Sequence, residues 1–155
     1  MIVAFFGQPC SGKTTLCKAF FGFIRKNLPI KCHYMDGDKF RYVFTNKDYS
    51  REGRINNLKL ACDVARYEES LNDIVLMSFV FPYKESRDYL KENFKKVMVV
   101  YLEYFPEMGK RGREDFHVTD FDIPEPNEVN LILNTTAMSE EQCLTQIINT
   151  YKQQI

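Results

Sequence analysis

The sequence predicts an α/β fold: a five-stranded parallel sheet covered by helices on both faces. Three observations predict it. Apolar runs of strand length recur at 2–6, 30–35, 74–81, 97–102 and 131–133, and apart from Lys31, His33 and Ser78 they are apolar throughout rather than alternating. Such runs mark strands buried on both sides, as parallel sheets require. The segments between them carry helical spacing instead, and strands alternating with helices build a three-layer sheet. Finally, 155 residues with 45% hydrophobic content suit one domain with a proper core, so 1–155 is read as a single unit.

The first strand, 2–6, leads through a glycine-containing loop into a helix. In that helix Leu16, Ala19, Phe20, Phe23 and Ile24 follow the i, i+3, i+4, i+7, i+8 pattern. Leu58, Ala61, Cys62 and Ala65 repeat this pattern within 50–71. The last helix starts at a capping box, Ser139 with Gln142, and places Leu144, Ile147, Ile148, Tyr151 and Ile155 on one stripe. One stretch, 105–130, is irregular, with Gly109, Gly112, Pro106, Pro124, Pro126 and many charges. A segment of that length without periodicity is more often a functional lid than a linker.

Composition narrows the function classes. Lys plus Arg and Asp plus Glu both total 21 and no basic block stands out, so nucleic acid is not an expected partner. Cys10, Cys17, Cys32, Cys62 and Cys143 form no C-x-x-C pair and sit mostly in apolar runs. That pattern indicates reduced, buried thiols rather than a disulfide framework or a zinc site. The apolar N-terminal run is too short to cross a bilayer and lacks a signal-peptide pattern, so a cytoplasmic protein without membrane contact is expected. His33 and His117 fit no metal spacing and receive no catalytic role.

Gly7, Gln8, Pro9, Cys10, Ser11, Gly12, Lys13 and Thr14 match G-x-x-x-x-G-K-[ST] at every fixed position, between an apolar strand and a helical pattern. Gly7 and Gly12 allow backbone angles that a side chain hinders, so successive N–H groups can turn inward around a phosphate. The helix N-terminus adds its positive end. Lys13 is expected to reach the β- and γ-phosphates of ATP, and the Thr14 hydroxyl to bind Mg²⁺; Thr15 completes the loop. This is the P-loop nucleoside triphosphate hydrolase fold. Cys10 lies inside the loop, where amide hydrogens and Lys13 favour a thiolate, so its oxidation is expected to block ATP.

The strand at 74–81 runs into Phe-Pro-Tyr and supplies no acid for the metal. Asp36-Gly37-Asp38 follows the strand at 30–35 instead, at the carboxyl end where ligands bind in open α/β sheets. One carboxylate could take a proton from an attacking hydroxyl while the other supports the metal or orients substrate. Taken alone, Asp-Gly is also a common turn.

With these residues in place, the chain resembles the adenylylsulfate kinase (APS kinase) family. The carrying segments are GQPCSGKTT, MDGDKFR, YSREGRINN, FPYKESRD and DFHVTDFDIPEPNEVNLILNT, in the family's order from residue 1 to about 135. The resemblance implies transfer of the γ-phosphate of ATP to the ribose 3′-hydroxyl of adenylylsulfate, a small nucleotide, giving 3′-phosphoadenylylsulfate in sulfate assimilation. It implies that Asp36 activates the hydroxyl, that Asp38 is its partner and metal ligand, and that Lys13 is catalytic. Arg41, Arg54 and Asn57 match substrate contacts. Tyr49, where the family has phenylalanine, and Phe116 match two aromatics that sandwich the adenine. Arg111, with Lys110 and Arg113, brings positive charge on the lid to the phosphates. Family members are often dimers, which implies a homodimer here.

The sequence departs from the family at several positions. Phe81, counted among the substrate contacts, replaces a serine; Leu60 replaces a charge; Val118 replaces a glycine; Ile123 replaces a tyrosine; and the lid is shorter. These changes leave the kinase chemistry in place and open the alternative of another nucleotide or nucleobase hydroxyl as acceptor. A non-catalytic nucleotide-binding switch is the further alternative.

Overall fold

A computed structural model describes all 155 residues. Five strands, β1 (Ile2–Phe6), β2 (Cys32–Asp36), β3 (Ile74–Ser78), β4 (Val97–Glu103) and β5 (Leu131–Asn134), form one sheet in the order β2-β3-β1-β4-β5. All four pairings are parallel. The central strand β1 is buried along its whole length, because its alternate residues serve both faces. Ile2, Ala4 and Phe6 enter the core beneath α3 (Arg51–Leu71) and α4 (Lys84–Asn93). Val3 and Phe5 enter the opposite core beneath α1 (Lys13–Asn27) and α5 (Glu140–Gln154). The fold is therefore the α/β arrangement that the apolar runs predict.

Two features position the site. The P-loop joins the C-terminal end of β1 to α1, so it sits at the middle of the sheet's carboxyl edge. The short helix α2 (Gly37–Val43) starts directly at the end of β2, and Asp36 is its N-cap, accepting from Lys39 N at 3.1 Å. The strand expected over 74–81 leaves the sheet earlier, after Ser78. Phe81 takes a left-handed backbone (φ 43°) ahead of Pro82, which turns the chain into α4.

The segment 105–130 has neither strand nor α-helix, only three 3-10 turns at Pro106–Met108, Glu114–Phe116 and Pro126–Glu128. Its second half is bound to the body of the fold. Asp122 N donates to Pro82 O (2.8 Å), Tyr83 Oη donates to Asp120 (3.0 Å), and Val118 is buried with Ile55 and Tyr83. No helix is long and apolar enough to cross a membrane.

Candidate active site

The P-loop geometry begins with Gly7. Its φ is 149°, and an added Cβ would lie 2.5 Å from Leu102 O and 2.8 Å from Ser11 Oγ, so no side chain fits. Ser11 is fully buried, and its Oγ has no hydrogen-bond partner. Lys13 Nζ reaches back to the Gln8 carbonyl at 2.7 Å and makes no ion pair within 4.0 Å. Burial lowers its pKa to about 8, although Asp38 and, more weakly, Asp36 pull the other way. A desolvated ammonium, an orphaned hydroxyl and a loop closed to side chains suit a bound polyphosphate, which would supply the missing negative charge.

Thr14 opens α1 beside the carboxylates. Its Oγ1 donates to Asp36 Oδ2 (3.0 Å) and lies 3.4 Å from Ser78 Oγ at the end of β3. Tyr34, two residues before Asp36 on the same side of β2, donates its hydroxyl to that same Oδ2 at 2.7 Å. Burial raises the Asp36 pKa, but hydrogen bonds from Tyr34, the Lys39 amide and Thr14 outweigh it and hold the carboxyl below its ordinary value. Asp38, in the first turn of α2, is largely exposed and pairs only with Arg113, at 3.4 Å. Thr14 with these acids suits Mg²⁺, which keeps several waters and takes few protein ligands.

One cavity of about 610 Å³ collects most of the residues expected at the site: Pro9, Cys10, Gly12, Lys13, Thr14 and Thr15 from the loop, and Asp36 and Asp38 beyond it. Arg41, Tyr49, Arg54, Asn57, Phe81, Arg111 and Phe116 line its other walls. Gly7, Gln8 and Ser11 lie behind the lining. Although the chain has no net charge, five cations face three carboxylates in this cavity, so it favours anions.

The cavity wall formed by Arg41, Tyr49, Arg54 and Asn57 is built by a polar relay. Asn57 is buried on α3 and accepts from Asn46 Nδ2 (3.0 Å), whose Oδ1 accepts from Arg41 (3.3 Å). Arg54 holds the Tyr49 carbonyl at 2.8 Å. Arg41 lies 4.3 Å and Arg54 5.6 Å from the centre of the Tyr49 ring, so the arginines partly cover that aromatic face. Phe116 is 65% exposed at the rim, with Arg113 over its ring at 5.6 Å. The two rings share the cavity without touching each other.

Arg111 is held tightly. Nη1 donates to Cys10 O at 3.0 Å, the guanidinium lies 4.6 Å from the Tyr104 ring, and Nη2 meets the Thr135 carbonyl. Cys10 itself is half-exposed in a left-handed conformation (φ 70°).

Sequence reasoning missed Tyr34, Ser78, Thr135 and His117. Tyr34 was legible from strand alternation with Asp36. The others were not, because Thr135 bonds Ser11 O (2.9 Å) and His117 meets Pro9 O (3.0 Å) across more than a hundred residues.

Comparison with known proteins adds to this geometry. The family model described as adenylylsulphate kinase matches residues 1–115, ending one residue before Phe116. The adenylyl-sulfate kinase of Clostridium kluyveri is 23% identical over 164 residues, covering 96% of this chain and 82% of that protein. The cytidine diphosphoramidate kinase of Campylobacter jejuni subsp. jejuni is 31% identical over 103 residues, which is 63% of this chain and 56% of that protein. The solved structure of Mycobacterium tuberculosis APS kinase in complex with AMPPNP and APS superposes with a TM-score of 0.83 at 16% identity, covering 97% and 96% of the two chains. At that identity the likeness speaks for the fold alone.

Proposed function

The chain belongs to the adenylylsulphate kinase family, and on that premise we propose that it moves the γ-phosphoryl group of ATP to the ribose 3′-hydroxyl of adenylylsulfate, forming 3′-phosphoadenylylsulfate. The observation that carries this reading is the single cavity in which Lys13 and the P-loop face Asp36, Asp38 and the Arg41–Arg54 wall. A phosphate cradle, a pair of carboxylates and an anion-binding wall are the parts such a transfer needs.

In this reading the oxygen of the acceptor hydroxyl forms a bond to the γ-phosphorus as the bridging oxygen to the β-phosphate leaves. The hydroxyl proton passes to a carboxylate. Phosphoryl transfer passes through a loose transition state, so positioning and charge do most of the work. Lys13, short of a carboxylate partner, is placed to meet charge on the transferring group. Mg²⁺, when bound, would offset charge on the β- and γ-phosphates.

The hydrogen bonds favour an order of the two acids opposite to the one the resemblance implies. Asp36 is occupied by Thr14, Tyr34 and the Lys39 amide, which suits orienting Thr14 on the metal side. Asp38, exposed and bonded only to Arg113, is left to take the proton. Arg41 and Arg54 then serve the acceptor's anionic tail, and Tyr49 and Phe116 offer their faces to its base.

A second reading keeps the chemistry and changes the acceptor to cytidine diphosphoramidate. The C. jejuni relative favours it, and the departures from the family pattern at Phe81 and Val118 leave room for a different acceptor. Incubation with ATP and each acceptor in turn, followed by mass spectrometry, separates the two. Phosphorylated product from adenylylsulfate supports the first reading; product from the cytidine nucleotide alone replaces it with the second. Domain extent 1–155, a lid at 105–130, cytoplasmic location and a homodimer remain part of the proposal.

A further inference from the structure

We propose that Gln8 is a positioning residue that sets the acceptor-side aromatic, Phe116, at a fixed distance from the phosphate cradle. The inference rests on the transfer reaction proposed above and names a residue that the reaction's chemistry does not itself require.

Gln8 stands in the P-loop, but its side chain turns away from the cavity. Its Nε2 donates to Val118 O at 2.8 Å and its Oε1 accepts from Val118 N at 2.8 Å. A planar amide, in Asn and Gln, offers a donor and an acceptor side by side without needing to change protonation state. Gln8 therefore satisfies both main-chain groups of Val118 as a neighbouring strand would. Val118 has no backbone hydrogen bond of its own, so this pair is its only main-chain tether.

Two further contacts fix the same point. His117 Nε2 meets Pro9 O at 3.0 Å, and the Val118 side chain is buried against Ile55 and Tyr83. The result is a joint between residues 110 positions apart: the P-loop on one side, the segment bearing Phe116 on the other. Phe116 precedes Val118 by two residues and is otherwise exposed. Its placement over the acceptor therefore derives from the P-loop itself, so the acceptor's base and the γ-phosphate share one frame of reference. A displacement of about 1 Å in such a frame costs on the order of a hundredfold in rate.

The test uses the full chain with Gln8→Leu, which keeps bulk and loses both bonds, and Gln8→Glu, which keeps only the acceptor for Val118 N. Adenylylsulfate kinetics, ATP calorimetry and amide hydrogen exchange are measured on each. Gln8→Leu is expected to raise the adenylylsulfate KM at least tenfold while the ATP Kd stays within twofold, with Val118 N–H exchanging at least tenfold faster. Gln8→Glu falls between parent and Gln8→Leu in exchange. The proposal is overturned by an unchanged Val118 exchange rate, or by ATP affinity falling as far as the acceptor KM rises. Should the parent phosphorylate neither adenylylsulfate nor cytidine diphosphoramidate, the function reading fails. Exchange then still decides the joint: acceleration confined to 116–119 supports it, and the parent rate overturns it.

Discussion

Thr14 Oγ1 and Asp36 Oδ2 lie 3.0 Å apart, so the P-loop hydroxyl donates a hydrogen bond to the last residue of a strand two places away in the sheet. This bond leaves a lone pair of Thr14 Oγ1 free to face the cavity and commits Asp36 to holding it there. In the proposed reaction this leaves Asp38, paired only with Arg113, as the carboxylate that takes the hydroxyl proton.

The first prediction follows from that division. Asp38→Asn is expected to lower kcat by about 10²–10⁴-fold with little change in ATP affinity, as loss of a general base does. Asp36→Asn is expected to raise the Mg²⁺ concentration giving half-maximal rate and to be partly rescued by excess Mg²⁺. Steady-state rates over a Mg²⁺ series check both; the reverse pattern would exchange the two roles.

Lys13 carries the pH prediction. Its pKa, lowered to about 8 by burial, leaves it largely neutral at pH 9 in the unliganded protein. Polyphosphate favours the charged form, so ATP binding above pH 8 is expected to take up a proton and to weaken as pH rises. The stability effect has the opposite sign. Between pH 8 and about 10.5 the unfolded lysine holds a proton that the folded one has lost, so this group's contribution to stability rises with pH. Tyr34 and Cys62, whose pKa values burial raises, act in the other direction. The stability difference between the parent and Lys13→Met isolates the lysine. Calorimetry in buffers of differing ionisation enthalpy reads the proton uptake.

Arg87 carries the stability prediction. It is 3% exposed on α4, donates to Phe81 O at 3.1 Å, and sees Glu128 only at 3.9 Å. It thereby fixes the left-handed turn at Phe81 that forms a cavity wall. Arg87→Ala is expected to cost about 1–3 kcal/mol, since it leaves Phe81 O without its buried donor, while Glu128 keeps Lys84 at 3.2 Å. Urea unfolding measures this, and a loss below about 1 kcal/mol would show that the clamp contributes little.

Arg111 is predicted to act on nucleotide. With its guanidinium on Cys10 O and over Tyr104, Arg111→Ala is expected to weaken ATP binding by about tenfold, the scale of one charge-assisted hydrogen bond, without altering acceptor KM. Equal losses for both substrates would place it elsewhere in the cycle.

The sheet was legible because its strands are apolar on both faces, and α1, α3 and α5 because their buried stripes are apolar. Helix α4 was not, for a physical reason: its buried face comprises Ser86, Arg87 and Leu90, so the periodicity is hidden behind a charged residue. Helix α2 is seven residues long and is capped by Asp36, the residue that also reads as a site carboxylate. Of the site, the P-loop and the acids follow from spacing. The arginine cover on Tyr49 and the Gln8–Val118 tether depend on contacts that no local pattern encodes.

The central claim is phosphoryl transfer to a nucleotide hydroxyl, and γ-labelled ATP tests it most directly. With adenylylsulfate and Mg²⁺, label is predicted to move to the 3′ position of the acceptor, and Lys13→Ala to lower the rate by at least about 10²–10³-fold. Label that stays in ATP or emerges only as inorganic phosphate, with adenylylsulfate and with cytidine diphosphoramidate alike, would contradict it.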